Sequence, residues 1–334
     1  MEHIVKVYAC GGASINIMKQ LYYPSKNNIK DNGFAKLEIV FADTSRSNIP
    51  KDVIEEDFYL VQGMGDIKID GSGKVRETNY KAVSMAIPEI LHRFKPAELN
   101  IVIHSASGGT GGVIGASLVS ELLNQDKAVI VMMIGSTTCE QEIRNTINTI
   151  LSYQAISVKR EKSVVAFYLE NGNGVSMNEN DAMVRINTLL LTVLWSGENH
   201  GLDSKDLDNF LNYQRVSKYQ PSLSGLTVYT GKNKPKLEKG QAVSSVISLI
   251  REGEDPDPGM IVGYHSFGTI SEETYIESVK MPTPIHLHTV QGYFTDIMTR
   301  LQTKLSEAEE QYRVNPVNTL KLQGVNVQDD GLIL

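Results

Sequence analysis

Five glycines fall within twelve residues, His104-Ser105-Ala106-Ser107-Gly108-Gly109-Thr110-Gly111-Gly112-Val113-Ile114-Gly115, between the apolar run Ile101-Val102-Ile103 and a helix-like stretch from Ala116 to Leu123. A strand that feeds a helix through such a turn has two uses for its glycines. One is a tight connection, in which they only let the chain reverse. The other is a phosphate cradle, in which backbone N–H groups and the positive end of a helix dipole face an anion at close range. A second turn of this kind, Ala9-Cys10-Gly11-Gly12-Ala13-Ser14, follows the first apolar run of the chain. Two such turns in one sheet, aimed at one chain of phosphates, point to a nucleoside triphosphate.

Two other phosphate motifs do not fit. A P-loop ends in Gly-Lys-Ser/Thr so that an ammonium reaches the terminal phosphates, and no Lys follows the glycines at 108–112. A dinucleotide fold wants G-x-G-x-x-G in its first strand-to-helix turn, and the first turn here lacks that spacing.

Around these turns, β-branched runs at 4–8, 37–41, 58–61, 99–103, 128–134 and 164–169 alternate with helical patterns at 14–21, 80–94, 114–124, 140–151 and about 178–197. Strands separated by helices predict a mostly parallel sheet covered on both faces. Beyond Asp203-Ser204-Lys205-Asp206 the character changes, with strand-like runs at 226–229, 242–249, 260–264 and 282–290 among Gly and Pro turns. A last helix, 290–312, carries Phe294, Ile297, Met298, Leu301, Leu305 and Ala308 on one stripe. After it, Asn315-Pro316 breaks the pattern, and a tail with Asp329-Asp330 ends in Leu332-Ile333-Leu334.

The expected fold is therefore α/β. A Rossmann-like nucleotide-binding domain with a mostly parallel sheet spans 1–177 and a long central helix spans 178–200. An acidic loop with a smaller α+β domain occupies 201–312, and a C-terminal tail 313–334.

Charge and cysteine content narrow the function. With 32 basic and 39 acidic residues the net charge is -7, which argues against a broad nucleic-acid face, so no direct nucleic-acid binding is expected. The longest apolar run, 128–134, is far short of the roughly 20 residues a bilayer span requires, so no membrane contact is expected. Two cysteines, Cys10 and Cys139, make no disulfide framework, and no secretory leader is read at the start; a reducing cytoplasm is the expected compartment. Neither these cysteines nor the seven histidines have zinc spacing, and His286 and His288 are expected to be strand or surface residues.

The segment Ser107-Gly108-Gly109-Thr110-Gly111 resembles the glycine-rich signature loop of the tubulin/FtsZ superfamily, and the order of parts matches over roughly 1–312. Where that family usually closes its loop with a small residue and Gly, this chain has Gly112-Val113. The resemblance implies a GTP/GDP site, with Mg²⁺ beside it. On that reading Gly11, Gly12 and Ala13 form the first phosphate loop, with Asn16 reaching toward sugar or base. Asp43 lies in the turn after the second strand, and Gly71, Ser72 and Gly73 fall where the family places its γ-phosphate-sensing loop. A solvated turn would read the same at 70–74. Glu140 and Arg144 match a pair that holds the ribose, although an i, i+4 pair is also the spacing of a surface salt bridge.

Asn171 matches the amide that reads guanine, and Asp181 matches the base-reading acid of the bacterial members. A carboxylate accepts from both N1–H and the 2-amino group of guanine, so GTP is favoured over ATP. A solvated Asp in the first turn of a helix is the alternative for Asp181.

Asp203 and Asp206, in Gly201-Leu202-Asp203-Ser204-Lys205-Asp206, resemble the acidic catalytic loop of the family. The same residues read as helix N-caps, and capping does not exclude catalysis. In that family the acids of one subunit reach over the nucleotide of the next. The resemblance thus implies a GTPase that works as a head-to-tail homopolymer, because a heterologous interface propagates rather than closes.

Asn199-His200-Gly201-Leu202-Asp203, the Asn315-Pro316 break and the ending Asp329-Asp330-Gly331-Leu332-Ile333-Leu334 look most like the phage-encoded tubulins. That narrower resemblance implies filaments in the bacterial host cytoplasm that position phage DNA or its compartment, with the tail docking on the neighbouring subunit. A free, solubilising tail is the alternative. The competing functions are a non-polymerising nucleotide-dependent enzyme on a doubly wound sheet and a GTP-binding adaptor.

Overall fold

The computed structural model describes residues 3–26, 35–63, 69–172, 174–195, 200–231, 233, 235–270 and 282–314. The tail from 315 on, with the Asn315-Pro316 break, lies outside these, as do the expected end of the central helix at 196–197 and Asn199, while 313–314 continue the last helix. Among them the strands are β1 (Ile4–Cys10), β2 (Lys36–Asp43), β3 (Phe58–Leu60), β4 (Leu99–Ser105), β5 (Ala128–Ser136), β6 (Val164–Asn171), β7 (Leu223–Thr230), β8 (Ala242–Ile250), β9 (Tyr264–Thr269) and β10 (Ile285–Gln291). The helices are α1 (Gly12–Lys26), α2 (Arg76–Arg93), α3 (Thr110–Asn124), α4 (Glu140–Arg160), α5 (Met177–Leu194), α6 (Ser204–Leu211) and α7 (Tyr293–Val314).

The strands join into one sheet in the order β3-β2-β1-β4-β5-β6-β7-β10-β8-β9. Pairing is parallel from β3 through to β7, and antiparallel only where β10 lies between β7 and β8. The sheet runs unbroken between the two halves of the chain, because Val164 and Ala166 of β6 pair with Leu223 and Gly225 of β7.

Alternation along the parallel strands builds two cores. Val5, Val7, Ile39, Ile101 and Met132 face α1 and α5, where Ile15, Met18, Leu190 and Leu194 meet them. Tyr8, Val40, Val102, Val131 and Met133 face the other way, against Ile90 of α2, Leu118 of α3, Ile147 of α4 and Leu301 of α7. Each fully buried aliphatic side chain contributes roughly 1.5–3 kcal/mol, so the sheet is covered on both sides as its apolar runs require. No described helix is long and apolar enough to cross a membrane.

Several element boundaries differ from the sequence expectation, and three of them have a clear physical reason. The helix expected from Ile114 begins at Thr110, with Thr110, Gly111 and Gly112 in its first turn. Glycine disfavours a helix by about 1 kcal/mol, but close packing overrides that here. A Cβ on Gly111 would lie 2.5 Å from the Cys10 carbonyl oxygen, and one on Gly115 would strike the His104 ring. The helix expected to end at Leu151 continues to Arg160 and closes on Glu161 in the left-handed region. Exposed Leu151 interrupts the apolar stripe, while buried Tyr153 and Ser157 carry it onward. The strand expected at 260–264 starts instead at Tyr264. Met260 and Val262 lie in the preceding loop and cover Val243, Val246 and Val290, while Ile261 between them is fully exposed.

Candidate nucleotide site

The sequence-expected phosphate residues converge at the C-terminal ends of β1, β2 and β4. Gly11, with φ +83°, lets β1 turn directly into α1. Its backbone lies against Gly111, so that a Cβ on either glycine would meet main chain at less than 3 Å. The turn at Gly11–Gly12 and the start of α3 therefore touch backbone to backbone, a contact that only glycine allows. Gly12 packs on Asn48, and Ala13 and Asn16 lie on the exposed side of α1, where Asn16 accepts a hydrogen bond from Lys19.

Asp43, 1% exposed, turns inward. One carboxylate oxygen accepts the N–H groups of Thr44 and Ser45, and the other accepts from the Asn48 amide at 2.8 Å. Burial raises its pKa despite these bonds. Asp43 thus shapes the turn after β2, and Thr44 is the side chain carried toward α3, its hydroxyl 3.0 Å from that of Thr110.

The segment 70–75 folds over the glycine loop. A Cβ on Gly109, the N-cap of α3, would strike Ser72 and the main chain at Lys74. Gly71, Gly73 and Lys74 all have positive φ, which coils the segment tightly. Asp70 accepts from Ser45 at 2.5 Å, and Lys74 pairs with Glu142 of α4 at 2.5 Å. Gly108 and Ser107 sit beside Ser105, whose hydroxyl is 2.9 Å from that of Ser107. Gly112 lies inside α3 against Arg76 and Thr149.

Three asparagines that sequence reasoning missed hold this arrangement. Asn79, wholly buried, donates to the Gly71 carbonyl at 2.9 Å and, at longer range, to the Thr44 and Thr110 hydroxyls. Asn145 donates to the carbonyls of Lys74 and Ser107 at 2.8 and 3.0 Å. Asn180 donates to Glu170 O and, at 2.7 Å, to the side-chain oxygen of Asn171. Each is a polar residue within the buried stripe near the start of a helix, as Asn79 is before Val83, Ala86 and Ile90. That interruption is the signal in the sequence that could have found them.

On the expected base side, Asn171 ends β6 and is brought beside Asn180, the residue before Asp181. Partial burial raises the pKa of Asp181, against the opposing effect of Arg185. Glu140 and Arg144 form the i, i+4 ion pair at 2.6 Å, and Arg144 also reaches Glu309 of α7 at 2.9 Å. Arg300 of α7 pairs with both oxygens of Glu170, next to Asn171.

Asp203 and Asp206 form a reciprocal capping box at the start of α6. Asp203 accepts the N–H groups of Lys205 and Asp206 through one oxygen. Asp206 accepts from the Asp203 N–H, the Tyr264 hydroxyl and the Ser266 hydroxyl. Burial raises the Asp206 pKa, but these hydrogen bonds win and hold the carboxyl below its usual range. The acids are far from the glycine loops. Asp203 and Ser204 share a small recess with His3 and Glu98, just ahead of β1 and β4, whereas the loops lie beyond the other ends of those strands. A seven-residue strand at about 3.3 Å per residue separates them by roughly 20 Å.

A parallel sheet with two glycine-rich turns at one end, a long helix after β6, an acidic cap at α6 and a mixed C-terminal stretch of the sheet make up a tubulin-like fold. No family model matches the chain. It is 29% identical over 224 residues to the phage tubulin-like protein of Pseudomonas phage PhiPA3, covering 67% of this chain and 66% of that one, just under two thirds. It is 27% identical over 261 residues to the phage tubulin-like protein of Pseudomonas phage phiKZ, covering 75% and 74%. Among solved structures, a protofilament of TubZ from bacteriophage PhiKZ superposes with a TM-score of 0.81 at 22% identity over 99% of both chains. The phage tubulin PhuZ, solved with GDP, gives 0.78 at 20% identity over 99% of both chains. The chain is similar in sequence to these phage tubulin-like proteins and shares the fold of PhuZ.

Proposed function

We propose that the protein binds and hydrolyses GTP and polymerises head to tail, each active site being completed by the acidic loop of the next subunit. The observation that carries this reading is the separation of Asp203 and Asp206 from the glycine loops by the length of β1. Within one molecule the acids and the phosphates cannot meet; stacking a second molecule on the first closes the distance. The PhiKZ relative, solved as a protofilament, and the GDP complex of PhuZ support the same reading.

In this scheme the N–H groups of the turns at Gly11–Gly12 and Gly108–Thr110, together with the α1 and α3 dipoles, bind the phosphates. The α5 start and Asn171 face guanine, and Glu140 with Arg144 lies beside the sugar. Among the described residues no cluster of His, Cys, Asp or Glu could hold a metal. The oxygens close to the loops are the Thr44 and Thr110 hydroxyls and Asp70. Such a set fits Mg²⁺, which keeps several waters and is bound largely through substrate phosphates. When bound, the ion would counter charge on the transferring phosphoryl group. Asp203, which keeps one carboxylate oxygen outside the capping box, would orient the attacking water on a neighbour's nucleotide, and Asp206 would hold the loop that presents it.

Asp203→Asn tests this, because Asn caps a helix as well as Asp but carries no charge. The expected result is intact folding, GTP binding and assembly, with phosphate release down by about 100-fold or more. Turnover at the parent rate would remove Asp203 from the reaction. In the parent, phosphate release and light scattering should rise together above a threshold protein concentration, with GTP and not with ATP; activity proportional to protein at all concentrations would favour the non-polymerising enzyme.

The same reading places the filament in the host cytoplasm, where it would position phage DNA or its compartment, and gives the C-terminal tail a partner. A groove of about 630 Å³ between α2, α3 and α4 is lined by Arg76 and Arg160, with Glu77 and Glu121 beside them, and by Ile87, Val113 and Ile156. Among the described residues Arg76 meets the hydroxyls of Thr149 and Ser152 rather than a carboxylate. A neighbour's Asp329-Asp330 could pair with Arg76, and Leu332-Ile333-Leu334 has the apolar surface to meet Ile87, Val113 and Ile156. Removing 328–334 should raise the assembly threshold severalfold while leaving nucleotide binding unchanged; an unaltered threshold would deny the tail this role.

A further inference from the structure

The segment 70–75 is fastened at both ends by buried asparagines from two different helices. Asn79 of α2 holds its beginning through the Gly71 carbonyl, and the same amide reaches the hydroxyls of Thr44 and Thr110. Asn145 of α4 holds its end through the Lys74 carbonyl and, with the same amide, the Ser107 carbonyl of the glycine loop. Both are 2% exposed or less. Between these points Ser72 lies over Gly109, at the N-terminus of α3. The Asn79 side-chain oxygen is buried with no partner among the described residues. A buried, unpaired carbonyl oxygen costs on the order of 1–3 kcal/mol, so Asn79 is not there for stability alone.

We propose that Asn79 and Asn145 are positioning residues that clamp segment 70–75 over the start of α3, so that the chain distinguishes a nucleoside triphosphate from a diphosphate. This rests on the GTP reading above and deepens it. The terminal phosphate is the group that adds oxygens and charge at the N-terminus of α3, beneath Ser72. A segment fixed to the glycine loop by one asparagine, and to the turn after β2 by the other, is aligned on that phosphate. Released from either, it no longer bears on the triphosphate, while the turns that hold the other phosphates keep their own backbone contact at Gly11 and Gly111.

Asn79→Ala and Asn145→Ala test the clamp on the full chain with fluorescent GDP and a fluorescent, non-hydrolysable GTP analogue. Each should weaken the triphosphate by about tenfold, the effect of losing a buried hydrogen-bonded pair, and leave the diphosphate within about threefold. Equal weakening of both nucleotides, or of neither, would overturn the proposal. Limited trypsin cleavage after exposed Lys74 gives a readout independent of turnover. Cleavage should be faster in both variants than in the parent, and an unchanged rate would deny the clamp. Asn145→Ala leaves the Thr44–Thr110 contact untouched, so it remains informative if Asn79→Ala misfolds. A parent protein that bound neither nucleotide would sink the GTP reading itself, while proteolysis would still report whether the asparagines hold the segment.

Discussion

Gly111→Ala should abolish nucleotide binding and lower stability by about 1–3 kcal/mol. The added methyl would sit 2.5 Å from the Cys10 carbonyl oxygen and 3.3 Å from its carbon, both main-chain atoms at the end of a central strand. Neither can rotate away, so α3 must move off β1 and carry its N–H groups out of line with those of Gly11 and Gly12. A loss of affinity of about 100-fold corresponds to close to 3 kcal/mol. Gly108→Ala is the comparison for folding. Its methyl would find Ser105 at an ordinary 3.6 Å, and its melting temperature should stay near the parent's. If the two variants melted alike, and Gly111→Ala still bound GTP, close backbone approach would not be what the glycines are for.

The second large effect is loss of stability in mild acid. His104, packed under Gly115, and His288, on β10, are 0% and 1% exposed. Burial pushes the pKa of each down to about 4. A folded-state value below the unfolded value means that the unfolded chain takes up protons first. The stabilisation from each neutral imidazole is complete above about pH 6.5 and is lost as pH falls toward 4, on the order of 3 kcal/mol per residue. Asp43 acts in the opposite sense, since its raised carboxyl is relieved by protonation, whereas Asp206, Glu142 and Asp208, all lowered, add to the loss at still lower pH.

Against a typical total of 5–15 kcal/mol, thermal melts should fall steeply below about pH 6. His288 makes the cleaner variant. Neither of its ring nitrogens has a partner among the described residues, whereas His104 is hydrogen-bonded to Tyr153 at 2.5 Å. His288→Leu should therefore be neutral or stabilising at pH 7.5 and flatten the acid limb; an unchanged slope would falsify the assignment to His288.

Much of the fold was legible because parallel strands buried on both faces are written as continuous apolar runs, and β1, β4 and β5 match those runs within a few residues. The glycines were legible as a turn but misleading as a boundary. Read locally, Gly111 and Gly112 stop a helix, yet in the fold they begin one, since contact with Cys10, Arg76 and Thr149 outweighs their intrinsic preference. Asp203 and Asp206 were visible because caps and catalytic acids share a spacing, and the structure displays the cap directly. The asparagines were hidden for the opposite reason. A polar residue in an apolar stripe gives no indication of its partner, and the groups to which Asn79 and Asn145 donate lie 8 to 71 residues away. His286 and His288 belong to a strand, as expected, but to a buried face of it.

The length of β1 has one more consequence. If the acids at one end of the molecule serve only the phosphates of the next, a row of n subunits contains n − 1 working sites. A lone molecule has none, a pair has one, and the last subunit of any row retains whatever triphosphate it took up. The fraction of idle sites then measures how many row ends exist, so breaking filaments without changing total protein should slow phosphate release in proportion to the ends created.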